Sequence, residues 1–125
     1  MADRVARIIL LPRYTALYGT VPFNGAPVNV RRFGSGLVTA WRSTGLGTSG
    51  AQASVVFKLQ QSTDLGIWNN VGATISPGAE LEASEAVTLD LEWIRIVATV
   101  SGTKPGVTCW AIGTFVAREG VLGGL

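Results

Sequence analysis

In ASVVFKLQQSTDLGIWNNV, residues 53–71, apolar and polar side chains alternate as far as Gln61, stop at Ser62-Thr63-Asp64-Leu65-Gly66, and resume from Ile67. Period-two alternation puts Val55, Phe57 and Leu59 on one side of an extended chain and Val56, Lys58 and Gln60 on the other, which is the pattern of a half-buried strand. The interruption is turn chemistry: Ser and Asp side chains accept backbone hydrogen bonds, and Gly supplies a positive φ at no steric cost. The stretch predicts a β-hairpin with Trp68 near its end. Such a corner serves either as scaffold or as a binding edge.

The same pattern spreads outward from the hairpin. Leu37, Thr39 and Trp41 alternate with Val38, Ala40 and Arg42; Ile94, Ile96, Ala98 and Val100 oppose Trp93, Arg95, Val97 and Thr99. Val28 to Arg32, Glu80 to Ala83 and Ala86 to Leu91 read as shorter strands, and residues 107–117 are long enough to cross a whole domain. SPG at 76–78 and SGTKPG at 101–106 are further turns. Sixteen glycines and five prolines cut the chain into short pieces, and no window keeps apolar residues at helical spacing. About eight strands at such spacings predict an all-β fold, an antiparallel two-sheet β-sandwich of jelly-roll kind.

Three parts are expected: an extended N-terminal arm over residues 1–27, the sandwich over 28–117 and a tail over 118–125. In the arm, Pro22, Asn24, Gly25 and Pro27 break regular structure. Tyr14, Leu17, Tyr18, Val21 and Phe23 are too apolar for a free segment, so they lie against this domain or a neighbour.

A chain of 125 residues can bury roughly two thirds of its unfolded surface in one core. Hydrophobic residues make up 47% and charged residues 14%, the latter well under the ~25% usual for globular domains. Apolar side chains therefore reach the surface, where contiguous patches mark contacts with other molecules. No histidine is present and Cys109 is the single cysteine. This excludes His-dependent nucleophile pairs and an intrachain disulfide, and argues against structural zinc. The apolar run Ile8 to Leu11 ends at Pro12, far short of a signal-peptide core, and no stretch approaches a helical membrane span. Synthesis in the host cytoplasm is expected, with no membrane partner.

Charge is unevenly placed. Up to Arg42 the chain carries six arginines against Asp3 alone, whereas from Ser43 onward four basic residues face seven acidic ones. Opposite signs at two ends of a small domain favour packing of copies, or docking on an acidic partner; alternatively these are solvated faces of edge strands. Arg31-Arg32 beside Phe33 could grip phosphate or an acidic partner bidentately, an acidic protein being preferred to DNA, or form a solvated edge. Nucleic acid would need more basic residues interleaved with aromatics, and is not expected.

Other constellations lead nowhere. The Gly-rich TGLGTSGAQ, residues 44–52, lacks the Lys and following helix of a phosphate loop. Glu80, Glu82 and Glu85 do not converge in one tight loop as calcium requires, and nothing frames a cleft between opposed carboxyls. No catalytic, cofactor or metal residue is expected. Trp41, Trp93 and Trp110 sit in regular strands and are expected in the core. Trp68, beside Asn69 and Asn70, is either a lid on the hairpin or an anchor for a sugar or a protein.

The order of Ser62-Thr63-Asp64-Leu65-Gly66-Ile67-Trp68 after a strand, then an acidic stretch, then Trp93-Ile94-Arg95-Ile96 leading into residues 101–117, resembles small β-sandwich virion proteins of tailed bacteriophages, including head decoration proteins. The resemblance spans about residues 53–117 and extends more distantly to discoidin-like sandwiches. It implies a non-enzymatic virion structural protein that decorates or cements the capsid, with the major capsid protein or other virion subunits as partners and homo-oligomers of its own. The discoidin-like likeness implies instead a carbohydrate-binding module; a tail or neck component is a third reading. The partner-binding residues expected are Arg4, Arg7, Tyr14, Tyr18, Phe23, Arg31, Arg32 and Trp68.

Overall fold

A computed structural model describes residues 5–43, 54–78, 80–102 and 105–118. Nine strands follow in chain order: β1 Val5–Tyr18, β2 Phe23–Asn24, β3 Val28–Asn29, β4 Phe33–Arg42, β5 Ser54–Ser62, β6 Asn69–Ile75, β7 Glu82–Thr88, β8 Trp93–Ser101 and β9 Gly106–Ala117. The first sheet runs β1-β9-β4-β7; the second runs β2-β8-β5-β6, with β3 also paired to β8. Every pairing is antiparallel.

The order has a simple origin. β5 pairs with β6, β4 with β7, β2 and β3 with β8, and β1 with β9, so the chain is one long hairpin wrapped around a core. The Ser62–Ile67 turn is its innermost tip. Counting β2 and β3 as one interrupted strand leaves eight strands in two sheets, the jelly-roll architecture, as the alternation predicts.

The alternating residues fill the interior. Val55, Phe57 and Leu59 of β5 and Ile94, Ile96, Ala98 and Val100 of β8 are all buried, as are Val38 and Ala40 of β4 and Val107, Cys109, Ala111 and Phe115 of β9. Phe115 is the large ring of the first sheet and needs small neighbours. A Cβ on Gly36 or on Gly113 would stand 2.3 Å or 2.4 Å from its ring, closer than any carbon contact allows, so both positions are glycine.

Two expectations are corrected. The segment expected as an extended arm is, over Val5–Tyr18, an edge strand of the first sheet, and Leu10, Leu11 and Leu17 enter the common core. Its Pro12 masks the strand in the sequence, because the ladder tolerates proline only at an edge or a bulge, and both conditions hold here. Trp41, Trp93 and Trp110 are only half-buried. Alternation defines two faces without saying which is inner. On β4 and β9 the inside is taken by Gly36 and Gly113, against the Phe115 ring, and by the buried Ala40 and Ala111, and the alternation then sends both indoles outward.

The stretches Glu80 to Ala83 and Ala86 to Leu91 join into the single strand β7. Arg118 stays on the sandwich, donating from Nε to Arg31 O at 3.1 Å and from Nη2 to Leu89 O at 3.0 Å. The rest of the expected tail, Arg4 and the 44–52 loop lie outside the described residues.

Candidate functional site

The outward residues of the first sheet form a face apolar enough to be unusual on a surface. Val5, Ile9, Leu37 and Val116 are each about half exposed or more, at 51%, 65%, 45% and 46%. Register sets them in rows across the strands: Ile9, Ile112, Thr39 and Ser84 in one, Val5, Val116, Ser35 and Thr88 in another.

A third row carries the aromatics. Trp110 of β9 lies opposite Trp41 of β4, which lies opposite Glu82 of β7. The two indoles stack with ring centroids 6.0 Å apart and 18° between planes. On the β1 side, Tyr14 meets Trp110 edge-on, with ring centroids 5.5 Å apart, and the Arg13 guanidinium lies 5.6 Å from the Trp110 ring centre. The row thus reads Arg13 and Tyr14, Trp110, Trp41, Glu82, from a cation through three rings to a carboxylate.

A backbone irregularity delivers Arg13 and Tyr14 to that row. The β1–β9 register shifts between Leu11 and Thr15, and Thr15 Oγ1 donates to Pro12 O at 2.6 Å, closing the bulge. Within it Tyr14 takes a φ of 65°, a conformation that costs a bulky L-residue of order 1–3 kcal/mol and gathers at functional positions. Bulges re-aim side chains in this way. Tyr14 remains 69% exposed, so the strain is not offset by burying its ring in the core.

The hairpin tip has a different role. Ser62 Oγ accepts from the amides of Asp64 and Leu65 at 3.2 Å and 2.9 Å and donates to Asp64 Oδ1 at 3.0 Å. Asp64 Oδ1 also accepts from the amides of Gly66 and Ile67 at 2.8 Å and 3.0 Å. Those hydrogen bonds, the Ile67 amide first, hold the Asp64 carboxyl below its usual value of 3.8. The motif satisfies itself and is a scaffold corner. What it positions is Trp68, whose Nε1 donates to Leu65 O at 3.2 Å and whose ring lies 4.3 Å from the Arg95 guanidinium carbon. Arg95 Nε donates to Gln60 Oε1 at 2.9 Å, and Gln60 Nε2 donates to Asn70 Oδ1 at 3.1 Å. This polar strip lies on the outer face of the second sheet.

The residues expected to bind partners are therefore dispersed. Arg7 and Tyr14 lie on the first sheet's outer face. Tyr18 ends β1, 79% exposed, with its ring against Gly106. Phe23 lies on the second sheet beside Ala98. Arg31 reaches Glu92 at 3.9 Å in an exposed ion pair, which joins the basic third of the chain to the acidic stretch within one molecule. Arg32 is exposed at the start of β4, its carbonyl accepting from the Arg118 amide at 2.8 Å. Trp68 belongs to the polar strip. Trp41, Trp110, Arg13 and Glu82 were not anticipated. The one available signal is the run of Gly and Ala at the alternate positions of β4 and β9, which leaves the indoles no room inside.

No family model matches this chain, and no curated protein matches it. Solved structures do match. A chain of the infectious bursal disease virus VP2 subviral particle aligns over 98% of this chain with a TM-score of 0.59 and 10% identity. A chain of the T13 particle of the same virus aligns over 95% with a TM-score of 0.59 and 13% identity. This chain spans about a third of each, 35% and 32%. The prophage-derived protein YomS of SPBc2 aligns over 91% of this chain at 15% identity, with a TM-score of 0.46, too loose a fit to argue from. The likeness to the viral particle chains is one of fold: a two-sheet jelly roll, here with a half-buried indole pair on the outer face of one sheet.

Proposed function

We propose that this chain is a non-enzymatic virion structural protein that docks on neighbouring subunits through the outer face of its first sheet. The observation that carries the reading is the Arg13, Tyr14, Trp110, Trp41 and Glu82 row. Trp, Tyr and Arg are the residue types that dominate binding hot spots, and here they form one row across all four strands, at the last β4–β7 pair of a sheet face that also exposes Val5, Ile9, Leu37 and Val116. The jelly roll it shares in fold with viral particle chains supports the virion setting. The phage resemblance of the sequence supports a decorating or cementing role on the capsid, with the major capsid protein or other virion subunits as partners; a tail or neck position would use the same face. Residues 5–18 belong to the rigid body, so docking works through a preformed surface and avoids the ordering cost of a free arm.

Particles purified from the source lysate by density gradient, probed with antibody against this chain, test the reading. Cosedimentation and surface gold labelling are expected; a chain that stays at the top of the gradient overturns it.

The Trp68, Arg95, Gln60 and Asn70 strip supports a second reading as a carbohydrate-binding module, since an indole beside amides and a guanidinium suits a polyhydroxylated ligand. Calorimetric titration with oligosaccharides separates the two. Glycan binding abolished by Trp68→Ala would replace the virion reading.

A further inference from the structure

We propose that the occupant of the first sheet's outer face is a second copy of this chain, paired about a two-fold axis parallel to the strands. The inference rests on the reading of this face as a docking surface and names the neighbouring subunit that covers it as a second copy, so that other virion subunits would meet the remaining surface of the dimer. Its ground is the arrangement of charge along the aromatic row. Arg13 stands at the β1 edge and Glu82 at the β7 edge, both exposed, with the stacked indoles of Trp110 and Trp41 between them. Two sheets pack face to face about 10 Å apart with strands nearly aligned. A two-fold axis along the strands reverses the order of strands and keeps their level, so β1 of one copy lies over β7 of the other. The row then meets its own reverse: Arg13 faces the second copy's carboxylate at 82, and the indole pair faces the indole pair. Such self-complementarity is what an isologous interface requires.

The alternative two-fold, with its axis across the strands, lays β1 over β1. With that axis at the level of the row it sets Arg13 against Arg13 and Glu82 against Glu82, which like charges disfavour, and because the row is the last β4–β7 pair only the ends of the two sheets would then overlap. Size agrees with the first arrangement. Four strands about 4.8 Å apart, overlapping for nine or so residues of about 3.3 Å rise, offer a face of roughly 20 by 30 Å. That approaches the ~800 Å² per partner of a standard interface. Ile9, Ile112, Leu37 and Val116 supply the apolar ground around the row, and Arg7 adds a second cation on the β1 edge.

Sedimentation equilibrium of the full chain beside Arg13→Glu, Glu82→Arg and an equimolar mixture of the two tests the geometry. Both positions are exposed, and unchanged thermal midpoints verify folding. The native chain is expected to be a dimer, with each single reversal weakening association about tenfold or more. The mixture should dimerise again, because every edge contact between unlike variants pairs opposite charges. A double reversal in one chain should dimerise too. A monomeric native chain, reversals without effect, or a mixture that stays monomeric overturns the proposal. The wider docking reading fails separately: it falls if a chain carrying Trp41→Ala and Trp110→Ala still binds particles, and it stands if that binding is lost while the native chain is a monomer.

Discussion

Trp41 and Trp110, on adjacent central strands and sixty-nine residues apart in sequence, stack with 6.0 Å between ring centroids on the outside of the sandwich. Their backbone positions are directly paired, so the ladder that builds the first sheet also builds the half-buried stack. Strand alternation puts it there: Phe115 and Gly36 point into the core, so Trp110 and Trp41, five residues along the same strands, point out.

That placement separates binding from folding. Removing Trp110 forfeits its contacts with Trp41 and Tyr14, each aromatic pair contributing about 0.5–1.5 kcal/mol. Truncating the buried Phe115 should cost about 3–5 kcal/mol. Trp110→Ala is therefore expected to remain folded, losing about 1–3 kcal/mol in urea denaturation, while association is abolished. Phe115→Ala should be the more damaging to stability.

Gly113 is required by the Phe115 ring, whose edge atoms would lie 2.4 Å from a new Cβ. Overpacking of this kind costs about 1–3 kcal/mol or more, so Gly113→Ala should lower the unfolding free energy by at least that much, read as a lower denaturation midpoint. Gly66→Ala is the control, since a Cβ there meets Asp64 at an ordinary 3.5 Å. Equal effects at the two sites would contradict the packing described.

Asp64 links the hairpin tip to acid stability. Its carboxyl is held below 3.8 by the Ile67 and Gly66 amides, so the folded state binds the proton less readily than the unfolded state. The stabilisation is present above 3.8 and is lost as pH falls through the depressed folded value. Asp64→Asn keeps an acceptor without the charge, and should flatten this acid limb in a series of denaturation curves against pH.

Cys109 acts in the opposite pH range. Burial pushes its thiol from 9.0 up to about 11, because the core disfavours the thiolate. The unfolded chain gives up the proton first, so stability should decline between pH 9.0 and about 11, and Cys109→Ala should remove that decline. At pH 8 an aromatic disulfide reagent should label the native protein only as fast as it opens. Immediate labelling would place the thiol at the surface.

Local chemistry alone determined much of this protein. Alternation over residues 53–61 and 93–100 set which side chains share a face, and the Ser62 and Asp64 side chains wrote the tip of the hairpin, because these depend on strand period and on hydrogen bonds between near neighbours; the positive φ expected of Gly66 falls on Leu65 instead. Two sheets of short antiparallel strands follow from them. Tertiary structure decided the rest. Whether Val5–Tyr18 pairs or hangs free depends on β9, about a hundred residues later, and a proline in an edge bulge hides the strand from any local reading. Which face of β4 turns inward is set together with β9, a different strand, whose Phe115 ring packs against Gly36. The candidate site follows from those two long-range outcomes: a bulge that brings Arg13 and Tyr14 to the outside of the sheet, and a crowded interior that leaves Trp41 and Trp110 there to meet them.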